Sequence, residues 1–220
     1  MKMNYEELKK KFEENQDPKR ATQMKRYMRN KFDFYGYQSL ARKVIYHQDL
    51  LLEKQQHTID WQLLKQAWQD SHREMQYFAC DYLIALEKYL QFEDLDKIRQ
   101  FVEEKSWWDT IDSLIKPIGK LGLRDSRVDK VMLEWSRDSN FWLRRVAIEH
   151  QLLRKKNMNV KLLNTILENN LDQEEFFINK AIGWALRDYS KTDPTWVQDF
   201  IQIHQDNMAP LSIKEGSKYL

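Results

Sequence analysis

The sequence predicts an all-α protein, an α-solenoid (superhelix) built from two-helix repeats. Three observations lead there. Only five Gly and four Pro occur in 220 residues, and Leu, Lys, Glu, Gln and Ile are abundant, a composition that favours helix nearly everywhere. Apolar anchors inside helical patterns, Val44-Ile45, Phe78-Ala79, Ile111, Val146-Ala147 and Ala181-Ile182, recur at intervals of 34, 33, 35 and 35 residues, counted from 44, 78, 111, 146 and 181. No alternating apolar–polar run bounded by paired turn signals competes for a sheet.

In chain order, Asn4 caps a first helix through about Glu14, with Tyr5, Leu8 and Phe12 at three- and four-residue spacing. Asp17-Pro18 places a cap ahead of proline at the first helical position, a start signal for a second helix. That helix sets Ala21, Met24, Tyr27 and Met28 on one side and Arg20, Lys25, Arg26 and Arg29 on the other, and Asp33-Phe34-Tyr35-Gly36 breaks it. The repeats follow. Between the anchors lie shorter amphipathic stretches, Trp61 to Trp68, Leu95 to Val102, Val128 to Trp135, Leu162 to Leu167 and Trp196 to Ile201, separated by Asp, Ser, Asn or Pro. Ser106 reads as an N-cap with Asp109 three residues on, and Gly119-Lys120-Leu121-Gly122 reads as a helix break after Pro117. The repeats share no consensus dense enough for tetratricopeptide or ankyrin units, which leaves the looser HEAT-like kind; a plain helical bundle is the alternative. One domain is expected over 1–220, with basic helices in 1–36 and repeats in 37–220.

Charge is unevenly spread. Residues 1–43 carry twelve Lys/Arg against six Asp/Glu, a balance of +6, while the whole chain stands at +2. Either a polyanion approaches the N-terminal end or these are solvated basic helices. The single cysteine, Cys80, sits in an apolar helical stretch and reads as a core residue rather than a nucleophile. With no disulfide possible within the chain, no apolar run behind Met-Lys-Met-Asn-Tyr-Glu-Glu and no long apolar segment, a cytoplasmic protein without signal peptide or membrane span is expected.

Several chemistries lack their residues. His47, His57, His72, His150 and His204 are scattered without metal-ligand spacing, so no metal and no cofactor is called for. The one glycine cluster has no strand before it, as a nucleotide loop would need, and no nucleophile–His arrangement can be argued from position. What remains is aromatic, cationic and singly carboxylate. Trp108 and Asp112 are four apart and share a helix face; they are either core and solvated surface, or a place for a cation, since an indole face and a carboxylate both favour positive charge. Immediately before the anchors, about one repeat apart, stand Lys43, Tyr77, Thr110, Arg145 and Lys180; three of the five, Lys43, Arg145 and Lys180, are basic, a seam suited to a phosphate backbone. Trp184 and Arg187 lie three apart. Gly183 beside them costs roughly 1 kcal/mol against Ala in a helix, which a close approach of another backbone or a ligand would explain.

At Trp-Trp-Asp-Thr-Ile-Asp (107–112), Trp-Leu-Arg-Arg (142–145), Phe-Phe-Ile-Asn-Lys-Ala-Ile-Gly-Trp-Ala-Leu-Arg (176–187) and Met-Lys-Arg-Tyr-Met-Arg-Asn (24–30), the chain resembles the DNA alkylation repair (AlkD-like) family of HEAT-like-repeat DNA glycosylases, over essentially its whole length. It departs from the family at Gly36-Tyr-Gln-Ser-Leu-Ala-Arg42, which lacks the usual proline. The resemblance implies a concave DNA-binding face and excision of positively charged N3- and N7-alkylpurines from duplex DNA. It implies Asp112 as catalytic carboxylate, Trp108 and Trp184 as aromatic walls, and Arg145 holding the DNA backbone near the lesion. Tyr27 and Arg187 would give supporting contacts, with Lys43, Arg144 and Lys180 as further DNA-binding residues. Neither a membrane nor an obligate protein partner is expected. A non-catalytic relative that binds distorted or branched DNA, and a protein–protein scaffold, are the other readings.

Overall fold

A computed structural model describes residues 3–220, and among them it contains thirteen α-helices and no strand. Asp33 and His72 form an isolated β-bridge. The chain divides into two compact units, residues 1–90 and 91–220.

The first unit holds α1 (Tyr5–Glu13), α2 (Pro18–Tyr27), α3 (Ser39–Gln55), α4 (Trp61–Gln69) and α5 (Arg73–Ala85). The expected starts are made. Asn4 accepts from the Glu6 N–H at 2.8 Å and Asp17 from the Arg20 N–H at 2.9 Å, each satisfying a donor that the first helical turn leaves open. Gly36 adopts φ +104° between α2 and α3, and a Cβ there would stand 2.3 Å from the Asp17 carbonyl oxygen. Without a proline to stiffen it, this connection is tied by Glu74, fully buried, whose carboxylate accepts the N–H groups of Tyr35, Gly36 and Tyr37 at 3.1, 2.9 and 3.0 Å.

Val44 corrects the anchor pattern: it is 76% exposed. Helix α3 buries Arg42, Tyr46 and Glu53 instead. Residues four apart share a face, so once 42 and 46 turn inward, 44 turns out. The interior they enter is polar and paired: Arg42 Nη2 and Tyr46 Oη both donate to Asp81 Oδ2, at 2.8 and 2.6 Å. Periodicity read on apolar residues alone selects the wrong face of such a helix.

The second unit holds α6 (Leu95–Glu103), α7 (Trp108–Gly122), α8 (Arg127–Trp135), α9 (Phe141–Glu149), α10 (Val160–Glu168), α11 (Phe176–Ser190), α12 (Pro194–His204) and α13 (Pro210–Gly216). Helices α7, α9 and α11 pack side by side in chain order, each carrying one of the expected anchors, and α6, α8 and α10 form the layer behind them. Ile111, Val146, Ala181 and Ile182 are buried at the seams. This is a helical-repeat arrangement, with the two helices of each repeat supplying one layer apiece. At the N-terminal ends of α7, α9 and α11, Trp107, Trp142 and Phe177 pack edge-on or tilted with ring centroids 4.8–6.0 Å apart.

Two local expectations are corrected here. Ser106 does not cap α7; its hydroxyl donates to the Val102 carbonyl at 2.6 Å, closing the end of α6, and Trp107 stands at the cap position. Nor does α7 break after Pro117: the helix continues to Gly122. Ile111, Leu114, Ile115 and Ile118 form one buried row on both sides of the proline. Gly119 lets α7 approach the His150 carbonyl, which a Cβ would meet at 2.4 Å. Tertiary packing outweighs the local breaking signal.

Candidate active site

Three consecutive long helices deliver the site. From α7 comes Asp112, from α9 Arg145 and Glu149, from α11 Lys180, Trp184 and Arg187. Arg145 is 1% exposed and fully engaged. Its Nε and Nη2 donate to Asp112 Oδ1 at 3.0 and 2.8 Å, and Nη1 donates to the Phe177 carbonyl at 2.7 Å. Glu149, one turn on, is also wholly buried, with Oε1 2.9 Å from Arg145 Nη2. Asp112 by contrast keeps 21% of its side chain exposed.

The charges fit this geometry. Burial pushes the Asp112 carboxyl above the usual range, and Arg145 pulls it partly back. Burial raises Glu149 further, to about 8, against the attraction of Arg145 and with the help of the neighbouring Asp112 charge. Of two carboxyls on one guanidinium, Asp112 is thus the one placed to carry the negative charge. It does so on the wall of a cavity of about 520 Å³, which Trp184, Arg187, Lys116 and Lys120 also line. His150 on the same wall is buried and pushed down to about 3, so it is a neutral group at physiological pH, with Nδ1 2.7 Å from the Ala147 carbonyl.

Trp184 is ringed by cations. Arg145, Lys180 and Arg187 lie 5.3, 5.9 and 5.9 Å from its ring centroid. Lys180 and Arg187 are tied in turn to the two oxygens of Glu215 on α13, at 2.7 and 2.6 Å. These bonds, Lys180 foremost, hold the Glu215 carboxyl below its usual range. Gly183 shows the close approach its position suggested: a Cβ there would meet the Glu215 Cβ at 2.6 Å. The glycine brings α13 onto α11 and so brings Glu215 to the cations.

The sequence expectations land unevenly. Asp112, Arg145, Trp184, Lys180 and Arg187 come together. Arg145, however, is interior and occupied by Asp112, Glu149 and Phe177, so its place is behind the carboxylate rather than on a phosphate; the basic seam loses its middle member. Trp108 is half-buried and does not line the cavity, whereas Trp107 is the core residue of the pair. Arg144 turns away from Arg145, reaching the Asp138 carbonyl at 3.4 Å and Gln173 at 3.3 Å. In the first unit, Tyr27 is 71% exposed and Lys43 is exposed, 3.5 Å from Asp81. Glu149 and Glu215 escaped sequence reasoning. Glu149 had a readable signal, an acid four residues after Arg145 on an otherwise apolar helix; Glu215 had only the indirect mark of Gly183.

Among the described residues no three His, Cys, Asp or Glu side chains gather as a metal set, and no helix is long and apolar enough to cross a membrane. Fold and site together define a helical-repeat protein with a carboxylate–indole cleft edged by cations. The model of the DNA alkylation repair enzyme family matches residues 8–220, and the chain belongs to that family. A solved structure described as a predicted DNA alkylation repair enzyme from Enterococcus faecalis is 34% identical, covering 94% of this chain and 97% of that one at a TM-score of 0.83. AlkD2 from Streptococcus mutans is 21% identical over 78% of this chain and 90% of its own, TM-score 0.58. The smu.31 protein from Streptococcus mutans UA159 is 21% identical over 81% and 95%, TM-score 0.59. The last two likenesses concern the fold. A comparison with curated proteins gives no match.

Proposed function

We propose that the protein is an alkylpurine-DNA glycosylase, hydrolysing the N-glycosidic bond of positively charged N3- or N7-alkylpurines in duplex DNA. The observation that carries this reading is the Asp112 carboxylate, fixed from behind by a buried guanidinium and presented with Trp184 to an open cavity.

An alkylpurine that already bears a positive charge leaves as a neutral base, taking the electron pair of the C1′–N bond, so no general acid is needed. The sugar gains oxocarbenium character, which a nearby carboxylate stabilises. Water adds its oxygen to C1′ and gives up a proton, for which Asp112 is the positioned acceptor. Trp184 offers its face to the same positive charge. Ordinary purines lack the leaving ability, so selectivity follows from the substrate's own lability. Lys180 and Arg187 are the phosphate contacts this reading assigns beside Asp112, with Tyr27 and Lys43 as those of the first unit. Arg144 would reach a phosphate only by leaving the Asp138 carbonyl and Gln173, and Trp108 is an aromatic contact outside the cavity. The test is incubation of methylated duplex DNA with the protein, followed by chromatography of the released material. Free 7-methylguanine or 3-methyladenine with abasic sites left in the DNA is expected; DNA bound but returned intact would make the protein a binder of damaged or distorted DNA instead.

A further inference from the structure

The pairing of Asp112 with Arg145 accounts for one buried charge and leaves another group unexplained. Glu149 is 0% exposed on α9, and neither of its oxygens receives an aligned hydrogen bond from an N–H group of the described residues. Its single close cation, the Arg145 Nη2 at 2.9 Å, is the same nitrogen that donates to Asp112 Oδ1 at 2.8 Å. Asp112 Oδ1 and Glu149 Oε1 are therefore neighbours on one nitrogen. One guanidinium cannot offset two desolvated carboxylates, and a buried anion without donors is among the costliest arrangements a protein can hold. A carboxylic acid in that place resolves the conflict: its carbonyl oxygen faces Arg145 and its O–H faces Asp112.

We propose that Glu149 is a positioning residue for Asp112, a neutral acid that donates a hydrogen bond to the Asp112 carboxylate and, with Arg145, sets where that carboxylate points. The charges acting on Glu149 are those of Asp112 from α7 and Arg145 from its own helix, with His150 neutral beside it. Lys116 and Lys120 of α7 and Arg187, Asp188 and Lys191 around α11 line the same cavity. Burial is the main reason the proton stays, and it holds the group neutral up to about pH 8. Above that, a second negative charge appears behind Asp112 and competes with it for Arg145.

The inference rests on the glycosylase reading for its kinetic arm but not for its spectroscopic one. Glu149→Gln keeps the shape and both hydrogen bonds without the titration; Glu149→Ala removes both bonds. In single-turnover release of 7-methylguanine at pH 7, Gln is expected within about threefold of wild type and Ala down by tenfold or more. The ratio of wild-type to Gln rates, which cancels any titration of the substrate, is expected to be flat from pH 6 to 7.5 and to fall about threefold or more by pH 9. Carboxyl-carbon NMR of the wild type should show one glutamate titrating near 8 that is missing from Glu149→Gln. A flat ratio to pH 9, or a Glu149 resonance that titrates with the surface glutamates, overturns the proposal. If the wild type released no base, the glycosylase reading would fall, and the resonance would still decide whether Glu149 holds its proton beside Asp112.

Discussion

Asp112→Asn isolates the central charge. The substitution keeps the volume and one acceptor oxygen for Arg145, whose Nε and Nη2 now donate at 3.0 and 2.8 Å to Asp112 Oδ1, and removes the negative charge from the cavity wall. A carboxylate about 4 Å from a unit positive charge at an effective dielectric of about 20 is worth roughly 4 kcal/mol. Arg145, bonded to the same oxygen, offsets part of that field, so about 2–4 kcal/mol reaches the transition state, or roughly 30- to 1,000-fold in rate. The fold should survive, because Arg145 keeps Glu149 and the Phe177 carbonyl. Removing the Asp112 charge also removes one cause of Glu149's retained proton, so Glu149 ionises more readily and becomes the partner of Arg145. The assay is single-turnover release of 7-methylguanine from methylated duplex DNA, with binding of undamaged duplex and thermal unfolding as controls. Excision within about threefold of wild type, with fold and binding intact, would refute the electrostatic argument.

Arg145→Ala leaves the buried Glu149 and the part-exposed Asp112 without their guanidinium and is expected to cost about 3–5 kcal/mol in unfolding free energy, measured by denaturant titration. Because Arg145 is interior, the slope of DNA affinity against salt should not change in any folded fraction; a shallower slope would mean it reaches a phosphate after all. Glu215→Gln releases Lys180 and Arg187 from their shared carboxylate, so duplex affinity should rise severalfold with a steeper salt dependence by fluorescence anisotropy, whereas unchanged binding would remove these two cations from the interface. Gly183→Ala pushes a methyl against the Glu215 Cβ and should lower stability by about 1–3 kcal/mol, visible as a lower Tm; an unchanged Tm would mean α13 yields freely.

Much of the second unit was legible in the sequence because its interior is apolar. Ile111, Val146 and Ala181-Ile182 mark α7, α9 and α11, and the shorter helices behind them begin and end close to where their amphipathic stretches do. The first unit was less legible at Val44, where Arg42, Tyr46 and Asp81 build a paired polar interior that apolar periodicity cannot register. Pro117 misled for a related reason: a break is a local cost, and a buried row running past it is a larger gain. At the site, spacing along one helix was readable and distance between helices was not. Trp184 and Arg187 share a face by arithmetic, but that Arg145 is interior to a carboxyl pair depends on how far α9 sinks between α7 and α11. Glu215 lies 28 residues from Arg187, and only packing brings them together.

The proposed chemistry requires the cavity to recognise positive charge at the sugar through Asp112. Competition binding measures this directly, with duplexes carrying at one position either a cationic nitrogen analogue of the sugar ring or its neutral tetrahydrofuran counterpart. The wild type is expected to prefer the cationic duplex by about tenfold or more, and Asp112→Asn to lose most of that preference. Equal affinity of the wild type for the two duplexes would contradict the account.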